Sequence, residues 1–224
     1  SRHIVSEDET VASLATDAGR KVLEQAGLSP ESVDLLIVVT QTPDYTLPHT
    51  SALVQDGLGL PKSTAAFDIS LGCSGFVYGL SVAQSLLAQQ ELTTALLIPS
   101  ETYSRLMAPD DRATAPLFGD GAAATIVTAD APVYRPGKFT FNTDGSRHEA
   151  LIAKGTGYRP GDQEPLFMNG RSIFPFMMSE IPADIDRCLE RNGLEKSDID
   201  NWVFHQASRY MIETLSKRLG IPKD

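Results

Sequence analysis

Two cysteines, one tryptophan and four histidines are scattered over 224 residues. Two thiols cannot build a disulfide framework, so a stapled secreted scaffold is excluded and a reducing, cytoplasmic setting is the expectation. Cationic charge is scarce as well: 19 Lys and Arg face 29 Asp and Glu, a formal charge of −10. A phosphate backbone would be repelled by most of such a surface, so nucleic acid is not expected as a partner. Long apolar runs are missing too. Stretches such as Leu35–Val39 and Ala95–Pro99 fall far short of a membrane span, and the opening Ser-Arg-His-Ile-Val-Ser-Glu-Asp-Glu has no apolar segment of the kind that directs secretion. His3, His49 and His148 stand in polar or turn contexts without ligand spacing, so no metal site is expected.

What remains is an ordinary globular composition, 42% hydrophobic and 21% charged, with a clear periodic order. From Glu9 to Ala26 the apolar positions Val11, Leu14, Ala15, Ala18, Val22 and Leu23 keep helical spacing, and Gly27 follows as a helix stop. Asp34–Thr40 is a short continuous apolar run rich in β-branched residues, which suits a strand covered on both faces. A helix over Thr50–Leu58, a buried strand over Ala65–Ile69, a helix over Phe76–Gln89 and a strand over Thr94–Pro99 complete an alternating α/β order.

The chain also repeats itself. Leu23-Glu-Gln-Ala-Gly-Leu28 returns as Leu189-Glu-Arg-Asn-Gly-Leu194, Asp34 as Asp200, the strand Leu35–Val39 as Asn201–His205, and Leu58-Gly-Leu-Pro61 as Leu219-Gly-Ile-Pro222. Helix, strand, helix and closing turn recur in order, which reads as two copies of one α/β unit, 1–131 and 132–224, joined near Ala131-Pro132. The first copy continues past Pro61 with Lys62–Asp130, whereas the second ends two residues after Pro222. The second has a β-like entry (Lys138–Asn142, Glu149–Lys154) that the first lacks. The expectation is a chain truncated at both ends, its first half without its first strand region and its second without its last part.

Asp68-Ile-Ser-Leu-Gly-Cys73-Ser-Gly-Phe76 sets a cysteine between a buried strand and an apolar helix, with Gly72 and Gly75 leaving room for a substrate to approach the sulfur. A position at the first turn of a helix would favour the nucleophilic thiolate; the alternative is a small core cysteine. Trp202-Val-Phe-His205 places a histidine at the carboxyl end of the second copy's strand, the end where α/β proteins build their sites. Taken alone, such a histidine is more often a hydrogen-bonded core group than a catalyst. Leu117–Val127 is a glycine-bearing turn entering a strand. Without a following Lys-Ser or Lys-Thr it reads as a pocket wall rather than a phosphate loop.

Together, Gly72-Cys73-Ser74-Gly75-Phe76, Phe118-Gly-Asp-Gly-Ala122 and His205-Gln-Ala207 resemble the three signatures of β-ketoacyl-acyl-carrier-protein synthase III, a family of thiolase-fold condensing enzymes. The resemblance covers essentially the whole chain and implies duplicated βαβαβαββ halves in an αβαβα layered sandwich, with which the internal repeat agrees. It implies that Cys73 is acylated by an acyl-coenzyme A primer, and that malonyl-acyl-carrier protein then loses carbon dioxide and condenses with that thioester to a 3-oxoacyl product. His205 would stabilise the enolate together with an asparagine. That asparagine, found in the family some thirty residues beyond the histidine, is not in this sequence, so the piece alone is expected to lack condensing activity.

The resemblance further implies that Arg112 flanks the adenine of coenzyme A, that Gly170 and Phe174 line the pantetheine tunnel, and that Ser208 stands where an asparagine usually bonds the pantetheine arm. Leu47 matches a residue gating the partner subunit's acyl pocket, where leucine would admit a primer longer than acetyl, and Phe118 falls at the substrate pocket. Lys217 and Arg218 match a basic patch that docks acidic carrier protein; a solvated helix face is the other reading. A homodimer is implied, and coenzyme A enters as a substrate, with no tightly bound cofactor. Cys188 and Trp202 are expected to serve packing. Two other functions stay open on the same residues: acyl transfer to an oxygen or nitrogen acceptor, and a non-catalytic acyl-binding partner subunit.

Overall fold

The structure, a computed structural model, describes residues 2–130, 132–157 and 164–221. The chain divides into two compact units, Ser1–Arg105 with Phe118–Arg135, and Leu106–Leu117 with Pro136–Asp224. Packing thus assigns 106–117 to the second unit, although it precedes the duplication boundary in sequence. Ala131 and Pro222, at the join and the closing turn of the repeat, lie outside the described residues.

In the first unit, helix α1 (Val11–Ala26) is fixed at its start by a reciprocal cap. Thr10 Oγ1 accepts from Ser13 N at 3.1 Å, and Ser13 Oγ accepts from Thr10 N at 2.8 Å. Asp44 adds a carboxylate on the amides of Val11 and Ala12, where the helix leaves donors unpaired. Strand β1 (Leu35–Val39), helix α2 (Thr50–Leu58), strand β2 (Ala65–Ile69), helix α3 (Gly75–Gln90) and strand β3 (Thr94–Thr102) follow, then the short strands β4 (Asp120–Ala122) and β5 (Thr125–Thr128). Strand β1 runs parallel between β2 and β3, while β4 and β5 pair antiparallel with β3.

Both faces of β1 are covered. Leu35, Ile37 and Val39 pack with Ala83 and Leu87 of α3, and Leu36 and Val38 pack with Ala15, Val54 and Leu58 of α1 and α2. The alternation of side chains along a strand explains the split. Strand β2 is less covered than its apolar sequence suggests: Ala65 is exposed and the rest half-buried. The expected fully buried strand is corrected here, because among the described residues β2 is the edge of this sheet and has one ladder partner.

The second unit has a two-stranded antiparallel ladder, β6 (Leu151–Ile152) with β7 (Phe167–Met168), and two helices, α4 (Gly170–Asn192) and α5 (Arg209–Leu219). Of the expected β-entry, Glu149–Lys154 contains β6, whereas Lys138–Asn142 forms no strand, and neither does Asn201–His205, the expected repeat of β1. A strand exists through its ladder, and among the described residues neither segment has one. No described helix is long and apolar enough to cross a membrane.

Candidate active site

Three parallel strands end side by side, and the chain leaving each contributes one part of a cluster. Beyond β1 come Thr40, Gln41 and Thr42; beyond β2 comes the turn 70–74; at the end of β3 stand Glu101 and Tyr103. The carboxyl ends of parallel strands are where open α/β sheets carry their sites.

Cys73 lies in the turn before α3, one residue ahead of its N-cap, Ser74. It is exposed, which removes the core-cysteine reading. Solvent reaches the residue from outside, but protein atoms crowd the inner side of the sulfur. That burial pushes the thiol above its ordinary value, and the charge of Glu101 adds to it, against the pull of the residue's own backbone N–H. The expected position at a first helical turn is corrected by one step, since Cys73 precedes the N-cap Ser74.

Beyond the expected access to sulfur, the neighbouring glycines have packing duties. A Cβ on Gly75 would come within 2.3 Å of Val39 Cγ1, so this glycine seats α3 on β1. A Cβ on Gly72 would meet Gln41 Oε1 at 2.5 Å and Tyr103 Oη at 2.9 Å, so Gly72 makes room for the wall behind the cysteine.

That wall is polar and braced. Glu101 accepts from Gln41 N at 2.9 Å, Thr42 Oγ1 at 2.7 Å and Thr40 Oγ1 at 3.3 Å, yet burial still holds its carboxyl above the usual carboxylate range. Tyr103 donates its hydroxyl to Gln41 Oε1 at 2.7 Å and packs its ring on Phe118, centroids 5.2 Å apart. Its phenol is pushed up by burial, then by Glu101 and Cys73. Phe118 therefore joins Cys73 in one cluster. Leu47 sits on the exposed loop before α2, 82% accessible. Gln41, Glu101 and Tyr103 were not among the expected site residues. A charged residue closing an otherwise buried strand, as Glu101 closes β3, was the available signal.

In the second unit, His205 lies exposed in the irregular segment leading to α5, and burial on its inner side depresses its imidazole below the ordinary value. Ser208 is the N-cap of α5 and accepts from Met211 N at 3.3 Å. Trp202 stacks on Phe204. Gly170 opens α4 into free space, and Phe174 stacks on Tyr210 of α5 at 5.7 Å. Arg112 is exposed beside Asp111, whose carboxylate caps Ala113 N and Thr114 N. Lys217 and Arg218 are exposed in the last turn of α5. Cys188 is half-buried near Lys138 and Asn192 rather than sealed in a core. An open cavity of about 550 Å³ lies against the start of α4, lined by Arg147, His148, Lys154 and Asn169 among others. No group of three or more His, Cys, Asp or Glu among the described residues could hold a metal ion.

Residues 67–145 match the family model of 3-oxoacyl-acyl-carrier-protein synthase III, and residues 189–224 match the model of that enzyme's C-terminal part. A beta-ketoacyl-acyl-carrier-protein synthase III of Clostridium perfringens is 38% identical over 100% of this chain and 71% of its own. One from Paramagnetospirillum magneticum is 40% identical over 100% of this chain and 70% of its own. A crystal structure of a 3-oxoacyl-(acyl-carrier-protein) synthase III superposes with a TM-score of 0.94 at 38% identity, covering 99% of this chain and 71% of that one.

Proposed function

Because this chain belongs to the 3-oxoacyl-acyl-carrier-protein synthase III family of thiolase-fold condensing enzymes, we propose that Cys73 is the nucleophile that carries its acyl primer. The observation that carries the reading is a solvent-reachable thiol at the carboxyl ends of three parallel strands, backed by a fixed wall. Cys73 Sγ attacks the carbonyl of an acyl-coenzyme A thioester. The new sulfur–carbon bond forms as the bond to coenzyme A breaks, and the thiol proton leaves on coenzyme A. A thioester on the protein conserves the activation of the acyl group and splits one hard step into two.

Malonyl-acyl-carrier protein then loses carbon dioxide, and the carbanion it leaves attacks the acyl carbon, expelling Cys73 and giving a 3-oxoacyl product. Negative charge develops on the malonyl thioester oxygen, which His205 stabilises by donating a hydrogen bond. Burial favours the neutral imidazole, which keeps one N–H for that purpose without holding a charge. Arg112 flanks the adenine, and Gly170 and Phe174 border the pantetheine arm. Ser208 accepts from Met211 N through its hydroxyl oxygen, so toward that arm it offers an O–H donor where an asparagine would offer an amide. Leu47 reaches a partner subunit in a homodimer, and Lys217 with Arg218 meets the carrier protein. Coenzyme A comes and goes with the primer, with no resident cofactor required.

Incubation with acyl-coenzyme A thioesters and intact-mass measurement tests the reading. The expected result is a gain equal to one acyl group, abolished by Cys73→Ala; no adduct with any thioester overturns it. Release of carbon dioxide from malonyl-carrier protein by the full-length protein then separates condensation from transfer to an oxygen or nitrogen acceptor.

A further inference from the structure

We infer that Tyr210 is a positioning residue for the acyl donor: its ring holds Phe174, at the start of α4, in place against the pantetheine arm of coenzyme A. The inference rests on the reading of Cys73 as the acylated nucleophile and of Phe174 as a wall for that arm.

The first turn of α4 is weakly held by its own helix. None of the 23 residues of α4 is fully buried. Gly170 brings no side chain, and a Cβ there would meet nothing within 4 Å. Pro175 follows Phe174 inside the helix, and with no N–H it leaves the carbonyl of Arg171 without its ladder bond. The turn is tied at its entry, where Asn169 accepts from Ser172 N through its side chain at 3.2 Å and from Ile173 N through its carbonyl at 3.1 Å. Those bonds fix backbone, so the ring of Phe174 depends on a contact of its own.

Tyr210 supplies that contact. The two rings stack with centroids 5.7 Å apart and planes 22° from parallel, within the range that favours aromatic pairs. Tyr210 is the better anchored of the two. Helix α5 buries Leu215 and Leu219 and is capped by Ser208, which accepts from Met211 N at 3.3 Å. Thr214 Oγ1 donates to the carbonyl of Tyr210 at 2.7 Å. Position therefore passes from α5 to α4. Without its partner the Phe174 ring would have to be ordered each time the arm binds, and that cost falls on affinity rather than on the attack by Cys73 Sγ.

The experiment follows acylation of Cys73 in the full-length protein by acetyl- and hexanoyl-coenzyme A, read by intact mass over a range of concentrations. Alkylation by iodoacetamide, which has no arm, runs beside it. Tyr210→Ala should raise the half-saturating concentration of the thioester roughly two- to tenfold, the span that one aromatic pair is worth, and leave the saturating rate and the alkylation rate unchanged. Tyr210→Phe keeps the ring and should restore the wild-type value. Phe174→Ala should cost at least as much, and adding Tyr210→Ala to it should cost nothing further, since Tyr210 acts through Phe174. Additive losses overturn the inference, as does an unchanged half-saturating concentration in Tyr210→Ala or an equal loss in alkylation. Should Tyr210→Ala fail to fold, Tyr210→Leu makes the same test. A wild type acylated by neither thioester overturns the reading of Cys73 itself, whereas a wild type and variants acylated alike overturn only the role of Tyr210.

Discussion

Glu101 accepts three hydrogen bonds from the segment after β1, and each lowers its pKa, yet desolvation is the larger effect and the net direction is upward. A carboxyl raised in the folded state contributes its full stability below the ordinary value of 4.5, and that contribution is lost as pH rises through the folded value. At higher pH its charge faces Cys73 and opposes thiolate formation. Glu101→Gln removes that charge while keeping an acceptor for Gln41 N. The pH midpoint for alkylation of Cys73 by iodoacetamide should therefore move down, with a severalfold faster reaction at neutral pH; a midpoint that stays in place refutes the coupling. Cys73 and Phe118 could be read from their glycine-bearing windows. Glu101 left only the hint of a charge closing a buried strand, and Gln41 and Tyr103 left none, because the bonds that unite the three join the ends of two strands far apart in sequence.

Among the elements, α3 shows how packing can reverse a propensity. Its buried positions Gly75, Gly79, Ala83 and Leu87 recur every fourth residue, a stripe of small side chains that lets the helix lie close on β1 and β3. In an open helix, replacing glycine by alanine would gain about 1 kcal/mol. Here a Cβ on Gly75 meets the stiff, buried Val39 at 2.3 Å, while one on Gly79 meets the end of Leu97 at 2.6 Å. Gly75→Ala should lose about 1–3 kcal/mol in denaturant unfolding, and Gly79→Ala less, because a leucine can adjust its rotamer more readily than a valine. Equal stability of Gly75→Ala and wild type would show that α3 shifts outward at little cost. Local signals located this unit well: the bounds expected for α2 and β2 are those observed, since a glycine stop or a run of β-branched and apolar residues acts within a few positions. The segment 201–205 went the other way. Its apolar residues match β1 in sequence, but strand formation depends on a neighbour with which to pair, and sequence periodicity carries no information about that neighbour.

At the scale of the whole molecule the repeat of Leu23–Leu28 at Leu189–Leu194 identified related helix ends, and both do close on a left-handed glycine, Gly27 and Gly193, with φ of 64° and 67°. Charge is the other property legible at this scale. A chain of net −10 repels an acidic carrier protein on average, so productive encounter requires a local exception. Lys217 and Arg218, exposed at the end of α5, are the proposed exception. The same two residues also suit the negative end of a helix dipole, a structural use worth about 0.3–1 kcal/mol each, and the two roles differ in what they predict. If they dock the carrier, Lys217→Glu with Arg218→Glu should raise KM for malonyl-carrier protein about tenfold at low salt. The effect should shrink as added salt shortens the screening length, and it should exceed any effect on acylation from acyl-coenzyme A. If they serve only the helix, the double variant should melt earlier, slow both steps alike and show no salt dependence in the ratio, and α5 would then lose its place as the docking surface.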